Sequence, residues 1–377
     1  MSKILSSVAC NLDTHILNAC LPLLKEGKVE AIEWAFDALY QRDEIPGWFE
    51  ALLQAYSAEG RLVGHGIFFS LFSGKWSADQ AGWLQLLKKA CSHYRFDHIT
   101  EHFGFMSGRD FHHGAPLPVP YNKTVLAIGI DRLKRIADAC QCPVGLENLA
   151  FSYSPEEVKR HANFLQQVLE PVNGFMILDL HNVYCQSHNF NLPFATLIDM
   201  YPMDLVREIH ISGGSWDKHP AAPAGKIRRD THDDAVPEEV FSMLQQVIPV
   251  CSSLKFVVLE QLGNGLETEL SRKQFYADFI RMEQIVQAAQ QPDVTAAGKL
   301  LMPPLSLHPG NIIEDGILYL QQCALSDILE TAGSVAEAVM ALRNSPLAHT
   351  SWDIENWQPY MIETAIAIAQ KWKKKGT

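Results

Sequence analysis

Short apolar runs alternate with longer amphipathic stretches through about the first 290 residues of the chain. The short runs have the pattern of buried β-strands, and the longer stretches have helical periodicity. Eight strands are predicted, at Ser7–Leu12, Glu30–Ala35, Leu62–Gly66, His98–His102, Val144–Asn148, Phe175–Leu180, Val206–Ile211 and Lys255–Glu260. Helices are predicted between and after them, at Thr14–Lys25, Gly47–Ala58, Ala78–His93, Thr124–Cys140, Pro155–Leu169, Pro237–Ile248 and about Glu267–Gln290.

Eight strand–helix units in succession predict an α/β fold, a (β/α)₈ barrel of the TIM type (xylose-isomerase-like), rather than an open doubly wound sheet. The glycine fingerprint of a dinucleotide-binding fold does not follow the first strand. The chain has 377 residues, more than the roughly 250 of a typical barrel. We therefore predict a metal-binding catalytic barrel over residues 1–290 and a helical C-terminal extension over 291–377.

The extension begins with a proline-rich connector, residues 291–309. Amphipathic helices are predicted after it, at Ile312–Leu342 and Trp357–Lys375. The extension is a candidate docking region for the substrate or for a partner. Its aromatic residues are nevertheless expected to form a helical core against the barrel: Trp352, Trp357, Tyr360 and Trp372.

Composition and charge narrow the class of protein. A chain that is 47% hydrophobic and 20% charged can bury a large core, which excludes disorder as its main state. The net charge of −12 argues against nucleic acid and anionic membranes as partners. Neither a signal peptide nor a membrane span is expected, and eight cysteines without a CxxC pair indicate reduced thiols in a cytoplasmic protein.

Histidine and acidic side chains end six of the predicted strands, where barrel enzymes place their active sites. The candidates are His65, His102, Glu147, Asp179 (followed by His181 and Asn182), His210 (with Asp230 and His232 in the next loop) and Glu260. Imidazole and carboxylate suit Fe(II), Zn(II) or Mn(II), and a carboxylate can bridge two ions. At three or four ligands per ion, the set implies roughly two or three metals. Most other histidines, among them His93, His98, His161 and His219, are assigned to surface or helix positions.

Several short motifs occur in an order that is specific in combination. They are Thr-Glu-His-Phe (100–103), Leu-Pro-Val-Pro-Tyr (117–121), Leu-Glu-Asn (146–148), Leu-Asp-Leu-His-Asn-Val-Tyr (178–184), Glu-Ile-His-Ile-Ser-Gly (208–213), Asp-Thr-His-Asp (230–233) and Val-Leu-Glu (258–260). Over roughly residues 5–265 the chain resembles the multinuclear non-haem iron-dependent oxidases, the family that includes the methanobactin-biosynthesis oxygenase.

The resemblance implies a barrel that holds two or three iron ions (Fe²⁺/Fe³⁺), with dioxygen as co-substrate. Such enzymes oxidise a residue, commonly cysteine, of a ribosomally made precursor peptide in natural-product (RiPP) biosynthesis, and a partner protein that presents the peptide is a further expectation. By the family pattern, His65, His102 and Glu147 would hold one iron, and Glu147 would bridge to a second, completed by Asp179, His210 and Glu260. Asn182, Asp230 and His232 would hold the third. The pattern singles out no catalytic residue apart from these ligands.

Three departures from the family pattern bear on the substrate more than on the metals. His181 stands where the family has asparagine, so it could add or replace a ligand. Gly213-Gly214 replaces the usual glycine-histidine after the seventh strand, and Asn189-Phe190 replaces asparagine-histidine beyond the sixth.

Other functions remain open from the residues alone. The same ligand order resembles zinc-dependent endonuclease-type barrels, which the negative charge disfavours. A sugar isomerase or epimerase on the same barrel is a further alternative, as is a non-catalytic peptide-binding scaffold. Ligand type does not separate iron from zinc.

Overall fold

Eight parallel strands close into a barrel in the computed structural model, which describes residues 3–40, 44–106, 116–290 and 309–372. Each strand pairs with its neighbour in the chain, and the first closes the ring with the last. The strands are β1 (Leu5–Ala9), β2 (Ala31–Trp34), β3 (Leu62–Gly66), β4 (Phe96–His102), β5 (Val144–Glu147), β6 (Phe175–Asp179), β7 (Val206–Ile211) and β8 (Phe256–Leu259). The predicted (β/α)₈ barrel is confirmed.

Helices surround the barrel and continue beyond it. They are α1 (Thr14–Lys25), α2 (Gly47–Ala58), α3 (Ala78–His93), α4 (Lys123–Cys140), α5 (Pro155–Leu169), α6 (Leu180–Phe190), α7 (Phe194–Ile198), α8 (Glu238–Val247), α9 (Glu269–Ala289), α10 (Gly316–Thr331), α11 (Val335–Arg343) and α12 (Pro359–Trp372). A short hairpin of Trp216–Lys218 and Lys226–Arg228 lies in the loop after β7. No helix among the described residues combines the length and the apolar character needed to cross a bilayer.

Two features of the helices differ from prediction. The single helix predicted over Ile312–Leu342 is wrong, because α10 ends at Thr331 and Ser334 caps a new helix, α11, by accepting from the backbone N–H of Glu337. Helix α6 was not predicted. It begins directly after β6, where the Asp179 side chain serves as the N-cap and accepts from the backbone N–H of Asn182 at 2.6 Å.

Inside the barrel, apolar side chains lie near the amino ends of the strands and polar side chains lie near their carboxyl ends. Near the amino ends of the strands, Leu5, Ala31, Val63, Phe256 and Val258 form a small buried cluster. Successive side chains of a strand point to opposite faces, so the residue two positions further on faces the same interior. Those positions carry the chemistry, with Glu33 after Ala31, His65 after Val63 and Glu260 after Val258.

The C-terminal helices pack on the barrel and share its main hydrophobic core. The Gln322 amide on α10 donates to the Phe72 carbonyl and accepts from the Gly74 N–H, both at 2.8 Å. The Trp357 and Tyr153 rings stack with centroids 3.6 Å apart. Trp352, Trp357 and Tyr360 are buried, which confirms the predicted core for these three residues. The Trp372 side chain and all of the predicted connector except Pro309 lie outside the described residues, and the division at residue 290 stays a prediction.

The stack on Tyr153 predicts a large contribution of Trp357 to stability. Trp357→Ala should lower the free energy of unfolding by about 3 to 5 kcal/mol, because it removes a buried aromatic ring and leaves a cavity. Trp48→Ala is the matched control, since that indole is 58% exposed and should change stability little. Urea denaturation of both variants measures the difference, and equal losses would contradict the assigned packing.

Candidate metal centre

The ends of β3, β4 and β5 bring together the first group of candidate ligands, His65, His102 and Glu147. The two Nε2 atoms are 3.1 Å apart, and Glu147 Oε2 lies 3.5 Å from His65 Nε2 and 3.3 Å from His102 Nε2. The Thr100 hydroxyl donates to the Gly64 carbonyl and accepts from His65 Nδ1 at 2.8 Å. This bond fixes the tautomer of His65 and leaves an Nε2 lone pair directed at the group.

Glu147, Asp179 and His210 form a second group behind the first. The Nδ1 atom of His210 lies 3.9 Å from Glu147 Oε1 and 3.2 Å from Glu260 Oε2. Glu147 therefore presents Oε2 to the first group and Oε1 to the second, which is the arrangement expected of a bridging carboxylate. Asp179 uses Oδ1 to cap α6, and its Oδ2 is buried without a hydrogen-bond partner.

The third group differs in part from the family pattern. Asp179, His232 and Glu260 place their ligand atoms within 4.8 Å of one another. Asp230 is adjacent, with Oδ1 2.8 Å from His232 Nε2. The Asn182 amide nitrogen donates to Glu147 Oε1 at 3.2 Å, while its Oδ1 is buried without a hydrogen-bond partner. The structure thus gathers all nine predicted ligands into one site, with Asp179 and Glu260 shared between groups.

His232 adopts a strained backbone conformation with φ 51°. Left-handed backbone is uncommon for a residue with a Cβ and tends to persist where the surroundings enforce it, often at functional sites. The His232 carbonyl accepts from the backbone N–H of Leu262 at 2.7 Å, which ties this loop to the end of β8. The strain thereby sets the ring beside Asp230 and Glu260.

His181, the possible additional ligand, contacts protein groups through both of its ring nitrogens in this geometry. Its ring is fully buried, with Nδ1 2.9 Å from Asp230 Oδ1 and Nε2 accepting from Arg228 Nε at 3.0 Å. Both ring nitrogens are therefore used by protein groups, and His181 orients Asp230. A side chain at Gly214 would collide first with the Arg229 carbonyl oxygen, 2.2 Å from its Cβ, and would also lie 3.0 Å from His181 Cε1.

Glu33 on β2 is a candidate ligand that the sequence interpretation missed. It is buried, and its Oε2 lies 3.0 Å from His210 Nε2. With His210 and Glu260 it forms a further group able to hold an ion. The available signal was an acidic residue inside the apolar run Ala-Ile-Glu-Trp-Ala, where an unpaired charge is rarely buried.

Four members of the cluster have protonation preferences set mainly by burial. Burial raises the pKa of Glu147 well above its usual value, although His210 opposes the shift, and burial raises that of Asp179 to about 7. Burial lowers the pKa of His65 well below its usual value and that of His102 to about 4, so both rings favour the neutral form that binds metals. Crowded carboxylates, neutral imidazoles and buried oxygens without partners are stabilised together when cations lie among them.

A cavity of about 490 Å³ opens above these ligands. Its walls are largely apolar on the barrel side, with Ile67, Phe103 and Phe151 among them. The opposite wall is one face of α12, which contributes Met361, Thr364, Ile368 and Lys371. The helix is held there by Tyr360 Oη, which donates to the Asn189 carbonyl at 2.8 Å, and by Glu363, which lies 2.6 Å from His219 Nε2.

Comparison with known proteins assigns the family. The family described as RiPP precursor modification enzyme MbnB/TglH/ChrH matches residues 28–266. The chain belongs to this family. The RiPP modification family acts on ribosomally made precursor peptides, so the protein is an enzyme with a peptide substrate. The matched range contains every candidate ligand and ends before α10, α11 and α12.

The chain is also similar to the following relatives and solved structures. A UPF0276 protein of Acinetobacter baylyi is 26% identical over 216 residues, 56% of this chain and 72% of its own. A UPF0276 protein of Caulobacter vibrioides is 28% identical over 203 residues, 52% of this chain and 69% of its own. A xylose isomerase-like TIM barrel protein from Mycobacterium smegmatis in complex with magnesium has a TM-score of 0.47 at 12% identity, covering 76% of this chain and 98% of that one. An L-ribulose 3-epimerase has a TM-score of 0.45 at 12% identity, covering 77% and 96%.

Because Glu147 lies between two groups of ligand atoms, we predict that its negative charge contributes to the binding of more than one iron ion. Glu147→Gln keeps the size of the side chain and should reduce Fe(II) uptake by at least one ion per chain, with the unfolding temperature of the metal-free protein unchanged or raised. Glu157→Gln is the control, because that carboxylate accepts from the Tyr153 N–H at the start of α5 and lies in none of the ligand groups. The measurement is the number of iron ions bound per chain after anaerobic loading. Uptake equal to that of the wild type by the Glu147 variant would exclude the bridging role.

Proposed function

We propose that this enzyme is a multinuclear non-haem iron-dependent oxidase that uses dioxygen to modify a cysteine of a ribosomally synthesised precursor peptide. The observation that carries the proposal is the double contact of Glu147, whose two oxygens face two different groups of ligand atoms. A carboxylate so placed can hold two ions a short distance apart. The ligand set contains imidazole, carboxylate and amide but no thiolate, which suits Fe(II).

The protein's own contribution is to orient the ligands and keep water away. The bound iron would supply one-electron redox chemistry with dioxygen and would anchor a substrate thiolate, lowering its pKa. Thr100 fixes His65, the Asn182 amide holds Glu147 Oε1, and the Asp179 cap aims Oδ2 into the site. The apolar cavity walls exclude bulk water from the reacting residue.

The cavity has the size and the gradient of exposure expected for a short peptide segment. Its volume of about 490 Å³ lies within the usual range for ligand sites, roughly 300 to 1,000 Å³. Along α12, Met361 and Thr364 are buried, Ile368 is half-buried and Lys371 is exposed. We infer that the peptide enters at the Lys371 end and runs along this face to the metal ligands.

A phosphodiester substrate, as for a zinc-dependent endonuclease, is less well supported. The arginines that line the cavity already have acidic or imidazole partners within the protein, with Arg228 donating to His181 and Arg229 to Asp217. A phosphate-binding rim needs free cationic groups, and the chain as a whole carries −12. The same ligands could hold zinc, so the next experiment compares the activities of the iron-loaded and zinc-loaded protein.

Oxygen uptake distinguishes the two chemistries. Protein loaded anaerobically with Fe(II) and mixed with a cysteine-containing peptide encoded beside its gene should consume dioxygen and change the mass of that peptide. The same peptide with Cys→Ser should remain unmodified, and zinc-loaded protein should be inactive. Peptide turnover by the zinc form without oxygen uptake would refute the oxidase and favour a hydrolytic enzyme.

The wall formed by α12 gives a second test of the peptide path. Ile368→Trp should reduce peptide turnover about tenfold or more by filling the cavity, while iron content remains that of the wild type. Ala367→Trp is the matched control, because the neighbouring position on α12 faces solvent. Equal turnover by the two variants, measured by mass spectrometry, would place the peptide elsewhere.

A further inference from the structure

A line of charged side chains runs down the inside of the barrel from the candidate metal centre. Glu208 Oε1 lies 3.5 Å from His210 Nε2, and Glu208 Oε2 lies 2.6 Å from His98 Nε2. His98 Nδ1 lies 3.0 Å from Asp97 Oδ1. The line ends at the amino-terminal rim, where Asp97 accepts from Arg207 at 2.7 Å and from Lys255.

The location of His98 corrects its assignment to a surface or helix position. It lies on β4 and is fully buried, two and four residues before Thr100 and His102, so all three face the interior. The Phe175 and Phe256 rings contact it edge-on, with centroids 4.7 and 5.4 Å away. A histidine thus occupies a layer that barrels usually fill with branched apolar residues.

The geometry makes His98 and Glu208 a charged pair. Each ring nitrogen of His98 is within hydrogen-bond distance of a carboxylate oxygen, an arrangement that favours the imidazolium form, which donates from both nitrogens. Burial opposes this charge, but Glu208 and Asp97 outweigh it and raise the pKa of His98.

Stability alone is a weak reason to keep such a pair. Apolar residues of similar volume in place of a buried ion pair often leave a protein equally stable or more stable. A role at the neighbouring site accounts for the pair better, because Glu208 lies on the Nε2 side of the His210 ring. On that side His210 Nε2 faces Glu208 and Glu33, whereas Nδ1 faces Glu147 and Glu260.

We propose that Glu208, held by His98 and through it by Asp97, is a positioning residue. Its charge, together with that of the nearer Glu33, keeps the proton of His210 on Nε2 and leaves Nδ1 for the metals. Carboxylates that accept from the second nitrogen of a metal-bound histidine fix its ring and strengthen it as a donor. The negative charge of Glu208 would also favour the ferric over the ferrous state. The inference rests on the proposed function, because it requires a redox-active metal at His210.

The experiment compares the reduction potential of the iron-loaded wild type with that of two variants. Glu208→Gln keeps the shape of the side chain but removes its charge, and Glu208→Gln/His98→Gln removes the charge of both partners, so that neither is left buried alone. Iron content, the unfolding temperature and the midpoint potential from an anaerobic redox titration are measured for each. Glu157→Gln again serves as the control, with values equal to those of the wild type.

Both variants should retain iron and show a midpoint potential shifted to more positive values, since the charge behind His210 is lost. Loss of iron from a variant that unfolds at the wild-type temperature would also support the role, because His210 would then be misplaced. An unchanged potential at unchanged iron content would overturn the proposal. A double variant that fails to fold would also overturn it, because the pair would then serve stability. A wild-type protein that takes up no Fe(II) would instead contradict the proposed function.

Discussion

The main physical constraint on this protein is the crowding of acidic side chains at the carboxyl ends of the barrel strands. Glu147, Asp179, Glu260 and Glu33 are buried and belong to overlapping groups of ligand atoms, in which Glu147 is grouped with Asp179, Asp179 with Glu260, and Glu260 with Glu33. Burial and their like charges raise the pKa values of Glu147, Asp179 and Glu33, while the neighbouring histidines hold that of Glu260 below its usual value. Bound cations would relieve this repulsion, and the surrounding hydrogen bonds restrict the carboxylates to positions where such ions fit.

Much of the architecture follows from the alternation of the strands. Because side chains alternate along each strand and parallel strands end at the same rim, the strand-end residues named from the sequence had to meet in one place. The structure brings all nine together, although their role as ligands remains a prediction. Glu33 was missed because it lies inside an apolar run, two residues before the predicted end of its strand. His98 was assigned to a surface or helix position, although its two-residue spacing from Thr100 and His102 places it on the same face of the strand.

Local capping explains the errors among the helices. Asp179 is both a candidate ligand and the N-cap of α6, so the chain passes directly from the strand into a helix that was not predicted. The break between α10 and α11 depends on the cap at Ser334, which a continuous amphipathic pattern conceals. In both cases a hydrogen bond to one backbone N–H decided the boundary. The extension itself lies outside the range that the family shares, yet α12 forms a wall of the cavity.

Anomalous X-ray scattering at the iron edge, from crystals grown and loaded with Fe(II) under anaerobic conditions, tests the central claim most directly. The account predicts two or three separate iron peaks, one beside His65 and His102 and another beside His210, with Glu147 between them. A single peak, or peaks away from Glu147, would contradict it.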